Sequence, residues 1–146
     1  MAETRELNVR ECQALLRSGV AGRVAVSTPT GPHIVPVNYT VVENAIVFRT
    51  APYSLLGTYG RESMLAFEID GLDEVNELGW SVQAKGRVEA VTDRAELARI
   101  REVAEPQPWA GGARSLLLRL RWSELSGRKL STRRDPAHEQ VAATGA

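Results

Sequence analysis

GRVAVSTPTGPHIVPVNYTVVENAIVFRTAPYS, residues 22–54, decides the fold. Val, Ile, Thr and Tyr crowd the runs 23–28, 33–42 and 45–50, and these residue types suit a pleated, half-buried surface. Pro29-Thr30-Gly31-Pro32 and Glu43-Asn44 interrupt the runs with turn chemistry. Three strands joined by two tight reversals make an antiparallel meander. At its end Arg49, Thr50 and Ser54 sit where a strand gives way to a loop, so that hydrogen-bond donors can face a ligand while the sheet behind holds them still. A small anionic cofactor would suit such a spot.

Downstream, Ser54 to Gly60 reads as a short helix weakened by its two glycines, and 64–69 as a fourth strand. The acidic, turn-rich DGLDEVNELG at 70–79 reads as a loop with room for one helical turn. Trp80, Val82, Ala84, Gly86, Val88 and Ala90 then alternate with Ser81, Gln83, Lys85, Arg87 and Glu89, the cleanest period-2 pattern in the chain. Gly86 within so long a run predicts a bulge or bend of the kind that curls a sheet into a barrel. Asp93 and Glu96 have cap-like spacing ahead of a second long helix over 93–103, with Leu97 and Ile100 on its apolar stripe. EPQPWAGGAR, 105–114, cannot be regular, because two prolines and a Gly pair break helix and central strand alike. Trp109 within it needs a cover, from a partner subunit or a ligand. The last strand, 115–122, turns Leu116, Leu118, Leu120 and Trp122 inward, which leaves Arg119 and Arg121, with Lys85 and Arg87, on the wet face of the sheet.

Upstream of the meander, Asn8 and Glu11 have capping-box spacing, and Val9, Cys12, Leu15 and Leu16 share one face of a helix over 9–18 that Gly19 ends. Cys12 on that stripe reads as a packing group, with nothing nearby in sequence to activate it. The sum is about six strands, mostly antiparallel neighbours, with two to three helices: a mainly β chain and a small barrel with helical plugs.

With 146 residues, one domain over 1–130 and a polar, frayed tail over 131–146 are expected. Lys+Arg and Asp+Glu both number 18, so the field that a nucleic-acid-binding surface needs is absent overall. No apolar run is long enough to span a bilayer and residues 1–10 lack a secretory apolar stretch, which makes the cytoplasm the default address. His33, His138 and Cys12 match no metal-ligand spacing, no Ser sits in a nucleophile elbow, and GTYG at 57–60 is too short for a phosphate loop. No catalytic side chain and no metal site stand out. A protein with donors and aromatics but no acid, base or nucleophile borrows its chemistry from a cofactor.

HIVPVNY, VFRTAPYS, LAFEID, GWSVQAKGRVEAVTD and a closing SGRKL, in this order over about residues 5–130, resemble the pyridoxamine 5'-phosphate oxidase-like flavoproteins. The resemblance implies a six-stranded antiparallel split β-barrel of Greek-key type and a homodimer with two FMN sites, each built from both chains. It further implies that main-chain groups around Pro36, Val37 and Asn38 face the isoalloxazine, and that Arg49 and Thr50, helped by Ser54, hold the phosphate and ribityl end. Trp80 and Ser81 of GWSV and Arg128 of SGRKL would come from the second subunit, and Trp109 would close the pocket. The activity so implied is an FMN-dependent oxidoreductase that moves hydride through flavin N5 to or from a small organic substrate.

One departure stands out. Relatives commonly carry a Lys soon after the Arg-Thr pair, whereas this chain has Tyr53-Ser54-Leu55-Leu56. Losing a charge-assisted contact costs on the order of 1.5 to 3 kcal/mol, one to two decades of affinity. Deazaflavin and haem therefore stand beside FMN as alternative ligands, and a non-catalytic binding protein stands beside the enzyme.

Overall fold

The computed structural model describes residues 2–132. In chain order they form β1 (Ala2–Glu6), α1 (Val9–Ser18), β2 (Ala21–Thr28), β3 (Gly31–Val42), β4 (Ala45–Thr50), α2 (Leu55–Tyr59), β5 (Met64–Asp73), β6 (Leu78–Ala90), α3 (Arg94–Ala104) and β7 (Leu116–Thr132). The meander β2-β3-β4 is as the sequence predicts, with reversals at Pro29-Thr30 and Glu43-Asn44. Every pairing is antiparallel, and the order β7-β4-β3-β2-β5-β6 closes through a further β6–β7 pairing into a ring. Six strands therefore make the barrel and β1 is a seventh, laid along the far half of β7 from Ala2↔Thr132 to Glu6↔Arg128.

Three expectations are corrected. β1 was not foreseen because AETRE is exposed along nearly its whole length, so neither face carries an apolar alternation. The stretch 70–79 is mostly strand: β5 runs on to Asp73 and β6 starts at Leu78, so only 74–77 turn, and the hairpin arm keeps its acidic residues because it projects into water. β7 absorbs Ser131 and Thr132 from the expected tail, whose remainder, 133–146, lies outside the described residues.

The barrel interior is filled by Val24, Val26, Phe48, Phe67, Val82, Ala84, Leu118 and Leu120. α1 plugs one end. Its capping box is formed, with the Glu11 N–H donating to Asn8 Oδ1 at 2.8 Å and the Asn8 N–H to Glu11 Oε1 at 3.2 Å. Cys12 and Leu16 are fully buried beneath it, and burial pushes the Cys12 thiol up, so it stays a protonated packing group. On the outside, α3 covers a second cluster of Val42, Val47, Val91, Ile100 and Leu117.

That cover corrects the reading of Arg119, which is 8% exposed and not on a wet face. Its Nε donates to Glu89 Oε1 at 3.0 Å, and its two Nη groups reach the Glu96 carboxylate of α3 at 3.2 and 3.3 Å. A guanidinium shut under a helix needs such paired acceptors, and here they tie α3 to the barrel.

Tyr39 of β3 links the plug to the wall. Its hydroxyl donates to the Leu16 carbonyl at 2.6 Å and its ring meets Phe67 edge-on, with centroids 4.8 Å apart. Burial pushes the phenol up to about 12 from its ordinary 10. A raised value for an acid means that the neutral form is favoured, so this contribution is complete below pH 10 and is lost as the pH rises towards 12. Denaturant titrations at pH 9.5 and 12 are expected to give a fall in stability about 2 to 3 kcal/mol larger for the wild type than for Tyr39→Phe. Equal falls would mean that the ionised ring is tolerated in place.

Candidate functional site

β3 and β4 pair from Val42↔Ala45 to Tyr39↔Phe48 and then part. Beyond that point Asn38 pairs with Ala21 of β2, whereas Arg49 and Thr50 pair with Leu117 and Leu116 of β7. The divergence opens a cleft of about 250 Å³ in the barrel wall. Val35, Pro36, Val37 and Asn38 line one side, and Arg49 and Thr50 the other. The split is thus a direct consequence of register, since β3 passes from β4 to β2 where the site begins while β4 keeps β7 and loses β3.

The Pro/Gly segment after α3 crosses this cleft, and it and the last residue of α3 are pinned to β3 and β4 at three points. Thr40 Oγ1 donates to the Ala104 carbonyl at 2.7 Å, Arg49 Nε donates to Glu105 Oε1 at 2.6 Å, and the Trp109 N–H donates to Asn38 Oδ1 at 2.8 Å. Pro108, Trp109, Ala110 and Arg114 complete the lining. The Trp109 residue itself remains 75% exposed, so its main chain is anchored while its ring still lacks the cover its size calls for. Asn38→Ala removes the last pin along the segment and is expected to raise amide exchange over 106–112 at least threefold; unchanged exchange would mean that the pins at Ala104 and Glu105 suffice.

Thr50 on the cleft wall and Ser54 behind it face each other. Ser54 caps α2, accepting from the Gly57 N–H at 3.0 Å and donating to the Ala51 carbonyl at 2.7 Å. Because the one Ser54 proton goes to Ala51, the 2.7 Å contact between the two hydroxyls is donated by Thr50. Both hydroxyl protons are thus used inside the chain, and Thr50 is only 3% exposed. The donors left over for a ligand belong to guanidinium groups. Among the described residues Arg49 makes one hydrogen bond, through Nε, and the buried Nε of Arg114 has no hydrogen-bond partner.

Of the ten residues picked from the sequence, Pro36, Val37, Asn38, Arg49, Thr50 and Trp109 line the cleft, and Ser54 touches Thr50. Trp80, Ser81 and Arg128 do not join them. They border a separate hollow of about 630 Å³ on the β5–β6 arm, where Ser81 pairs with Arg128 and where Leu72 and Leu78 are further lining residues. The two hollows share no lining residue. Glu105 and Arg114, which the sequence reading passed over, mark the two ends of the EPQPWAGGAR segment; their charges at the ends of an otherwise uncharged Pro/Gly loop were the available signal.

A closed antiparallel barrel that splits between β3 and β4, with a cationic strand end at the split, defines the split-barrel class. The family model for pyridoxamine 5'-phosphate oxidase matches residues 8–129, and the chain belongs to that family. Among curated proteins it is 33% identical over 109 residues to the uncharacterized protein Rv0080 of Mycobacterium tuberculosis, covering 71% of this chain and 72% of that one. Among solved structures it is similar to the FAD binding protein from Mycobacterium smegmatis, at 28% identity and a TM-score of 0.73 over 86% of this chain and 98% of the other. It is likewise similar to the conserved protein of unknown function DIP1874 from Corynebacterium diphtheriae, at 30% identity and a TM-score of 0.71 over 88% and 98%. No described helix is long and apolar enough to cross a membrane, and no described cluster of His, Cys, Asp or Glu could hold a metal ion.

Proposed function

We propose that the chain is a flavin-dependent oxidoreductase that binds FMN in the cleft between β3 and β4 and works as a homodimer. The observation that carries the reading is the cleft itself: an apolar wall from Val35 to Val37 on one side and guanidinium donors with unused hydrogen bonds on the other. A flat tricyclic ring gains from area removed from water, and a phosphoryl group gains from charge-assisted donors. The relative from Mycobacterium smegmatis binds FAD, which shares with FMN both the ring and the first phosphoryl group, so the same residues serve either form.

In this reading Pro36, Val37 and Asn38 present the β3 main chain to the ring, Arg49 holds the phosphoryl end, and Thr50 and Ser54 keep the strand end in place. Trp80, Ser81 and Arg128 reach a cleft only from a second barrel, whose docking would also cover Trp109. The bound flavin supplies hydride transfer at N5, and the protein contributes position, exclusion of water and charge. Haem fits less well, because neither hollow is lined by His, Cys, Met or Tyr. A deazaflavin keeps the ring shape and the phosphoryl group, and remains the alternative cofactor; a split barrel that binds flavin without turnover is the alternative function.

The absorbance spectrum of purified protein, followed by FMN titration, tests the reading. Arg49→Ala with Thr50→Ala is expected to lower FMN affinity at least tenfold while the protein stays folded and dimeric. Unchanged affinity would remove both residues from the site, and bound FMN that reduced nicotinamide cannot reduce would favour the non-catalytic alternative.

A further inference from the structure

The cleft wall and the segment beside it carry an unbalanced set of charges. Arg49 and Glu105 form a part-buried pair, their side chains 15% and 24% exposed, in a single contact from Nε to Oε1. The second carboxylate oxygen of Glu105 is buried with no hydrogen-bond partner among the described residues, and the mostly exposed Arg101 comes within 4.0 Å of it. Across the cleft lining, the Nε of Arg114 is buried with no hydrogen-bond partner among the described residues. A buried carboxylate oxygen and a buried guanidinium nitrogen, each left without a hydrogen bond beside the same cleft, each carry a desolvation cost that nothing there offsets. Folding alone does not reward such an arrangement, whereas an incoming anion that takes up both guanidinium groups would relieve it.

We propose that Glu105 is an internal competitor that occupies Arg49 until a phosphoryl-bearing ligand displaces its carboxylate, and that Arg114 is the second guanidinium that receives the phosphoryl group. The two oxygen atoms of a carboxylate and two of a phosphoryl group make the same demand on a guanidinium, so one replaces the other without remodelling the strand. Glu105 opens the segment that crosses the cleft, so its displacement removes the pin next to the α3 end of that segment. The affinity for any anion is then the difference between its own contacts and those of Glu105, which makes the site selective for strong phosphoryl acceptors over weaker anions.

The flavin reading supplies the identity of the ligand, and the test separates the two claims. Affinities for FMN and for riboflavin, which has the ring but no phosphate, are measured on the wild type, Glu105→Gln and Arg114→Gln. Glu105→Gln keeps the shape and removes the charge, and is expected to tighten FMN at least tenfold. Arg114→Gln is expected to weaken FMN at least tenfold, and riboflavin should change less than twofold in both variants. If the wild type binds FMN and neither variant shifts its affinity, or if riboflavin shifts in parallel, the competitor proposal is overturned and the flavin site stands. If no flavin binds the wild type, the flavin reading falls, and calorimetry with inorganic pyrophosphate on the same three proteins decides the competitor proposal. Affinity in the order Glu105→Gln, wild type, Arg114→Gln upholds it, and equal or absent binding overturns it.

Discussion

Replacing Gly86 by alanine is expected to cost the fold about 3 kcal/mol or more, a fall in melting temperature of roughly 6 to 12 °C for a chain of this size. β6 and β7 change register at this residue: Lys85 faces Glu124 and Gly86 faces Trp122, which leaves Ser123 as the extra residue on β7. The bulge that Gly86 predicts is present, with the extra residue on the partner strand. The bend brings the two backbones so close that a Cβ on Gly86 would collide with the Arg121 carbonyl oxygen and come within 2.8 Å of Trp122 Cα. Both are main-chain atoms in the middle of the longest pairing in the barrel, so neither can swing aside. Gly111, where a Cβ would meet nothing within 4 Å, provides the control, and its alanine variant should melt with the wild type. Equal melting of the two variants would show that β7 can shift to admit a methyl group.

Phe67→Ala should cost about 3 to 5 kcal/mol, the range for emptying an aromatic from a closed core. Phe67 is 1% exposed and stands between Tyr39, which its ring meets edge-on, and Gly22, where any Cβ would strike the Phe67 ring. The loss should extend beyond stability. Tyr39 directly follows Asn38, and it is at Tyr39 that β3 leaves β4, so the cavity lies under the residue that fixes where the cleft begins. Denaturant titration measures the first effect, and amide exchange at 36–39 the second. A variant that loses stability with unchanged exchange over 36–39 would separate the cleft from the core beneath it.

How much of this was legible follows from what each residue's burial can write into a sequence. The meander, α1 and α3 were readable because one face of each is buried and the other wet, so apolar spacing reports geometry directly. β1 and the outer arm of β5–β6 were not, because a strand that projects into water shows no alternation and keeps acidic and small residues that read as loop. Arg119 misled for the opposite reason: alternation places it opposite the core, but the second face is covered by α3, and spacing along one strand cannot report what a distant helix covers. At the candidate site, Arg49 was picked from its place at a strand end and the β3 residues from the family resemblance. Glu105 and Arg114 act through contacts across 56 positions in one case and through a missing partner in the other, and local pattern records neither.

The proposed site comes down to one spatial arrangement, in which the gap where β3 leaves β4 would receive a flavin with its phosphoryl end between Arg49 and Arg114. A crystal structure of the protein grown with FMN tests it most directly. The expected result is the phosphoryl group within hydrogen-bond distance of both guanidinium groups, the ring along Pro36 to Asn38, and Trp80, Ser81 or Arg128 of a second barrel against its far edge. Flavin bound elsewhere, or a cleft that still holds the Arg49–Glu105 pair at saturating FMN, would contradict it.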